Sequence, residues 1–209
     1  TGDVRVYLNQ DGTPVGSTTI TICNSTDGTV VPIIEATGGG VEDKLCSSSG
    51  AGIGAGGNTL NKTIINIKGG EITATGGASY DPRNRGSWLS GAGIGSGSNV
   101  SGETEINISG GTIKSASGGK YGGAGIGSGS YSGSKPNKQK GAVTINITDG
   151  TIEKAEGKDG GAGIGSGYYG RSSTVNISGN AELKDVKGGN LAAGIGSGYD
   201  SGKVDVVID

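Results

Sequence analysis

The sequence predicts an all-β chain wound into a right-handed parallel β-helix of about five to six coils, with three short strands per coil and an N-terminal cap. Three observations carry that prediction. The stretch Gly-Ala-Gly-Ile-Gly-Ser-Gly stands at 91–97, 123–129 and 161–167, with variants GAGIGAG at 50–56 and AAGIGSG at 192–198. Between the copies, short alternating β-branched segments recur at near-constant spacing. The chain also holds 48 Gly but no Phe, Met or His, and only 31 % hydrophobic residues. That composition excludes a globular core of large side chains and suits a thin core shared by stacked strands.

Residues 1–17 read as a cap. Val4, Val6 and Leu8 alternate with polar residues, Asp11-Gly12-Thr13-Pro14 supplies a turn, and a stack of strands needs its end covered. Residues 18–209 form one repeat domain whose unit, of about thirty residues, has three pieces. The first is a strand: Ile20-Thr21-Ile22, Ile65-Asn66-Ile67, Ile106-Asn107-Ile108, Ile145-Asn146-Ile147, Val175-Asn176-Ile177 and Val206-Val207-Ile208. The second follows a turn: Gly70-Glu71-Ile72, Gly111-Thr112-Ile113, Gly150-Thr151-Ile152 and Ala181-Glu182-Leu183. The third is the glycine stretch, centred on Ile53, Ile94, Ile126, Ile164 and Ile195.

Constant spacing within each piece lets equivalent strands pair one coil apart, ~4.8 Å along an axis. Parallel crossovers are right-handed, which sets the hand. A propeller would need longer blades with aromatic signatures, and a helical solenoid is incompatible with this glycine density. The spacing breaks twice, between Ile72 and Ile94 and between Ile126 and Ile145, where insertions enter the connections. In Ala-Gly-Ile-Gly-Ser, alternation sends Ile inward and both glycines outward, Gly93 and Gly95 above Gly125 and Gly127. Two alternatives stand for these glycines: they turn corners and thin the core, or they form a flat docking face for a backbone or a sugar ring.

I-N-I-S-G-G-T-I together with G-A-G-I-G-S-G, in tandem over residues 18–209, resembles a repeat of large surface proteins of Gram-positive, often gut-dwelling, bacteria. More distantly it is similar to a clostridial family of β-helical carbohydrate-binding proteins whose coils read G-D-G-I-D-S-N-G. The resemblance implies an extracellular, cell-surface or secreted, non-enzymatic module with affinity for a polysaccharide or host glycan. In that second family the aspartates beside the Ile bind calcium. The matching positions here are Ala92, Gly95, Ala124, Gly127, Ala162 and Gly165, which offer no carboxylate to a hard cation.

Two loops and one corner are candidate ligand sites. The first insertion carries Tyr80, Asp81, Arg83, Arg85 and Trp88, the only Trp. An indole face stacks on a sugar's C–H face, and Arg and Asp bind hydroxyls or a uronate. The bland alternative folds Trp88 back over a coil. The second insertion begins at Tyr131 and holds Lys135, Lys138 and Lys140, either a solvated loop or a basic patch for an anionic glycan. Tyr168, Tyr169 and Tyr199 follow the glycine corner, Tyr168 and Tyr199 one coil apart; they either stabilise that corner or form a ladder for a sugar chain. Asn66, Asn107, Asn146 and Asn176 form an outward column. The sequon Asn107-Ile108-Ser109 is read as a chance match and ice binding as disfavoured, because the flanking rows vary.

Other classes are excluded or disfavoured. The net charge of −2 shows no basic stripe for nucleic acid, and no apolar run approaches the ~20 residues of a membrane span. Without His or a Cys-x-x-Cys pair, no thiolate–imidazole metal site and no cofactor are expected. Cys23 and Cys46 form either one disulfide or two buried free thiols; secretion favours the disulfide. Asp81, Glu103, Asp149 and Asp159 fall in different pieces of their coils, so no acid–base pair converges and no enzyme is expected. Lacking an initial Met or a visible signal peptide, the sequence reads as a processed piece of a longer protein, expected to be monomeric. The expected function is adhesion or carbohydrate binding, against a stiff spacer that projects another domain, with a glycan-degrading enzyme ranked last.

Overall fold

The computed structural model describes residues 4–7, 17–40, 48–81, 87–131 and 141–209, with the backbone alone at 4–7, 81, 87 and 88. Strands are numbered along the chain. The first pieces form wall one: β2 (Ser17–Ile22), β5 (Lys62–Ile67), the first half of β10 (Thr104–Ser117), the first half of β12 (Val143–Glu156), β14 (Ser173–Ile177) and β17 (Val204–Ile208), each parallel to the next. Ile20, Ile65, Ile106, Ile145, Val175 and Val206 stand directly in register. The second pieces form wall two: β3 (Ile33–Thr37), β6 (Glu71–Thr75), the second halves of β10 and β12, and β15 (Glu182–Lys187).

Because β10 and β12 run unbroken through both walls, the walls are one ten-stranded sheet with a fold in it. The crease runs through Gly70, Gly111 and Gly150, at φ +92°, +82° and +90°. Residues with a Cβ rarely adopt that conformation, which is why glycine recurs at this turn. The parallel β-helix read from the sequence is the fold, and its repeats lie over one another.

β1 (Val4–Tyr7) pairs antiparallel with β2, Val4 opposite Ile22, and covers the N-terminal edge of wall one. Sequence reading passed over β3, because Pro32 stands where later coils have glycine. It also gave no structure to the first insertion, which opens and closes as the antiparallel hairpin of β7 (Ala78–Asp81) and β8 (Ser87–Ser90).

The third piece departs from expectation. Its strands, β4 (Ile53–Gly54), β9 (Ile94–Gly95), β11 (Ile126–Gly127), β13 (Ile164–Gly165) and β16 (Ile195–Gly196), are two residues each and pair in parallel. They are the tips of pinched loops, not a flat wall. In each, the Ala N–H donates to a carbonyl four residues on: Ala92 to Ser96 at 2.9 Å, Ala124 to Ser128 at 3.1 Å, Ala162 to Ser166 at 2.9 Å. The Ile at the tip enters the crease between the two walls. A Cβ on Gly93 would meet the backbone of Ser117 in wall two, and one on Gly95 would lie 3.1 Å from Ile106 Cδ1 in wall one. The outward glycine face is therefore overturned: Gly93, Gly95, Gly125 and Gly127 are all buried.

The core is a wedge of stacked columns: Ile67, Ile108 and Ile147 from wall one, Ile72, Ile113 and Ile152 from wall two, and the tip isoleucines, with Ala74, Ala116 and Ala155 giving room. Burying each isoleucine stabilises the fold by ~1.5–3 kcal/mol. Among the described residues no aromatic ring belongs to this cluster. At the last coil the columns surface: Val206 is 41 % exposed, where its equivalent Val175 is fully buried.

Candidate aromatic face at the loop necks

Each pinched loop has a neck where the incoming and outgoing chains run side by side. The outgoing residue of one coil donates its N–H to the incoming carbonyl of the coil before: Ser98 to Ser49 at 2.8 Å, Ser130 to Ser90 at 2.7 Å, Tyr168 to Gly122 at 2.7 Å, and Tyr199 to Gly160 at 2.7 Å. Tyr168 and Tyr199 thus hold the position that is serine in earlier coils. The next position takes positive φ in four coils, at Asn58, Asn99, Tyr169 and Asp200. Asn and Asp tolerate that region well, whereas a tyrosine there is uncommon.

The buried serines of the glycine stretch bind coil to coil. Ser96 Oγ accepts from the Gly129 N–H at 3.2 Å, and Ser128 Oγ from Gly167 at 2.8 Å. These hydroxyls are almost wholly buried and hydrogen-bonded, which explains Ser as the sixth residue of the motif.

The structure brings the corner tyrosines together. Tyr168 and Tyr199 stack with ring centres 5.4 Å apart and planes 11° apart. Tyr169 meets Tyr168 edge-on at 4.4 Å. Tyr131 aligns with Tyr169, since its N–H donates to the Tyr168 carbonyl just as that of Tyr169 donates to Tyr199. Burial pushes the Tyr168 hydroxyl up to about 12, and a hydrogen bond with Tyr169 adds to the shift, so the phenol stays a neutral donor. Tyr168 and Tyr199 pack over Gly122 and Gly160, where any Cβ would collide with their side chains.

The hairpin rises from the same side. Its β8 ends at Ser90, whose Oγ accepts from the Tyr121 N–H at 2.8 Å. Tyr80 stands opposite Trp88 in the hairpin register, and Asp81 opposite Ser87. Seven of the eight aromatic residues, all but Tyr7, therefore belong to the necks or to the hairpin beside them. Sequence reading treated the hairpin and the tyrosine corner as separate candidates and left Tyr121 out. Arg83, Arg85, Lys135, Lys138 and Lys140 lie outside the described residues, as does Cys46, and with it the proposed disulfide to the half-buried Cys23.

On the outer face of wall one, the asparagines form a hydrogen-bonded ladder. Asn107 Nδ2 donates to Asn66 Oδ1 at 3.0 Å, Asn146 Nδ2 to Asn107 Oδ1 at 2.8 Å, and Asn176 Nδ2 to Asn146 Oδ1 at 2.8 Å. Asn107 also donates to Glu105, whose carboxyl is held below the usual range by Asn107 and Lys62. An amide engaged in this way is a poor acceptor site for a glycan. On wall two, acids pair with lysines across the surface, as in Lys114–Glu153 at 3.1 Å.

Sequence reading also missed Arg171. It is 2 % exposed, and its guanidinium donates to the Gly102 carbonyl and to Thr104 Oγ1 at 3.1 Å. Thr104, Val143 and Ser173 are register partners, so this side chain straps three coils together. Burial alone lowers it to about 10. The one legible signal was a lone charge inside the small-residue run Gly170-Arg171-Ser172-Ser173. Among the described residues no group of three His, Cys, Asp or Glu is placed to hold a metal ion.

Three stretches of the chain, residues 65–98, 106–130 and 145–168, match the family model of the β-helix repeat. Each begins at the first buried isoleucine of a wall-one strand and runs to the neck that follows. No curated protein and no solved structure matches the chain. The three matched stretches cover less than half of the chain, and they agree with the strand pairing that its fold is a parallel β-helix.

Proposed function

We propose that the chain is a non-enzymatic, extracellular carbohydrate-binding module that serves adhesion, with the neck face as its binding surface. One observation carries this reading: among the described residues no ring enters the core cluster, while Tyr168, Tyr169 and Tyr199 pack together at the necks. Rings offer sugars a C–H stacking surface and phenol hydroxyls to bond. Rings set at successive coils suit a linear chain lying along the solenoid axis.

A second reading, a stiff spacer, is favoured by the same stack: Tyr168 and Tyr199 turn ring faces on each other, and the asparagine ladder binds itself. A glycan array with mucin and plant polysaccharides separates the two. Under the binding reading, Tyr168→Ala with Tyr199→Ala lowers affinity about tenfold for any ligand found. Absence of binding across the array, or full binding by that double variant, leaves the spacer.

A further inference from the structure

Where wall two ends and the chain turns toward the neck, an open groove of about 450 Å³ runs across three coils. Ligand pockets commonly have volumes of ~300–1,000 Å³. The groove's floor is backbone at Gly76, Gly118 and Gly119. A Cβ on Gly76 or Gly118 would run into the carbonyls of Gly91 or Gly123, so the floor stays bare. Thr75 and Ser117, register partners one coil apart, bring hydroxyl side chains to the lining. Lys120, Lys158, Asp159 and Ala78, at the base of the hairpin, complete the lining.

The charge around this groove is unbalanced. Lys158 and Lys154 share the single carboxylate of Glu156, at 2.7 and 2.8 Å. That sharing holds Glu156 below the usual carboxylate range. The Lys120 ammonium lies over the Tyr121 ring, 5.2 Å from its centre, and makes no ion pair among the described residues. Ammonium groups therefore exceed carboxylates here, although the chain as a whole is at −2.

We infer that this groove holds an acidic sugar, a uronate within a polysaccharide. Its carboxylate pairs with Lys120 and Lys158, its hydroxyls meet Thr75 and Ser117, and Asp159 accepts a further hydroxyl. The bare floor admits the flat side of a pyranose. This inference rests on the carbohydrate-binding reading and adds a ligand class and a second contact region to it.

Hexamers of galacturonate, guluronate and glucuronate, each beside its neutral methyl ester, are titrated calorimetrically into the full chain. At least one acid is expected to bind about tenfold more tightly than its ester, consistent with two partly exposed charge contacts. Lys120→Gln with Lys158→Gln should bring that acid to the level of its ester, with the melting temperature unchanged. Acids and esters of equal affinity, or a double variant that binds the acid as the native chain does, overturn the inference. If neutral glycans still bind and depend on Tyr168 and Tyr199, the groove alone falls. If neither neutral nor acidic sugars bind, the carbohydrate reading falls with it.

Discussion

Tyr168 and Tyr199 stack one coil apart, ring centres 5.4 Å from each other and planes 11° apart, each anchored by its own N–H on the neck of the coil before. The solenoid pitch sets this distance, so the stack reports directly on coil register. Tyr199→Ala should cost about 0.5–1.5 kcal/mol in urea unfolding, and Tyr199→Phe much less, since the ring and not the hydroxyl makes the stack. Equal losses in the two variants would place the energy in the hydroxyl instead.

Gly127 is among the tightest points of the fold. It sits at φ +140°, and a Cβ there would run into the Gly165 carbonyl of the next coil. Strain and overpacking together predict a loss of about 3 kcal/mol or more for Gly127→Ala. Gly39→Ala is the control, because nothing lies within 4 Å of a Cβ at that position. Denaturant midpoints of the two variants should separate widely; similar midpoints would refute the pinched loop.

Asn146 is the middle of the amide ladder, donating to Asn107 and accepting from Asn176. Asn146→Ala breaks both bonds and should cost about 1–2 kcal/mol. The ladder stops at Val207, which stands in register beside Asn176. Val207→Asn should extend it and slow amide exchange in β17. Exchange as fast as in the native chain would show that the ladder contributes nothing at that edge.

Asp27 organises the turn between β2 and β3. Its Oδ1 accepts from Ser25 Oγ at 2.5 Å, from the Thr29 N–H at 3.0 Å and from Thr29 Oγ1 at 2.8 Å. These bonds, led by that from Ser25, lower its carboxyl from the ordinary 3.8 to about 2. A carboxylate lowered on folding stabilises the turn fully above its ordinary value, and the contribution fades as pH falls through about 2. The carboxyl chemical shift should titrate near 2, and Asp27→Asn should remove that acid-sensitive step. A midpoint near the ordinary value would show the turn to be open.

The coil was legible because its rules are local. Period-two isoleucines, a turn glycine and a fixed repeat length can all be counted, and the Asn column follows from alternation about Ile106 and Ile108. Alternation failed at Ala92–Ser96 because it assumes extended backbone. The φ of +138° at Gly95 breaks it and folds the strand into a loop, and glycine in a sequence signals permission for such a φ without requiring it.

The candidate site was half legible. Tyr168 and Tyr199 are equivalent by count, so their stacking follows from the repeat. Tyr121 is not, since the chain between Gly118 and Ala124 is one residue longer than the matching run from Gly157 to Ala162. Nor could counting place the hairpin beside the necks, because an antiparallel excursion obeys its own register and not that of the coils.

By itself, then, the sequence determined what repeats: which residues lie over which, and that a column of isoleucine fills the interior. Tertiary structure decided where the third piece goes and what surrounds it, tucking the glycine loop into the crease, sending Arg171 across three coils and setting Tyr169 edge-on to the Tyr168 ring. The reason is physical. Stacking depends on residues a fixed count apart, whereas closing a coil depends on backbones meeting at distances only glycine permits, and on partners that no spacing encodes.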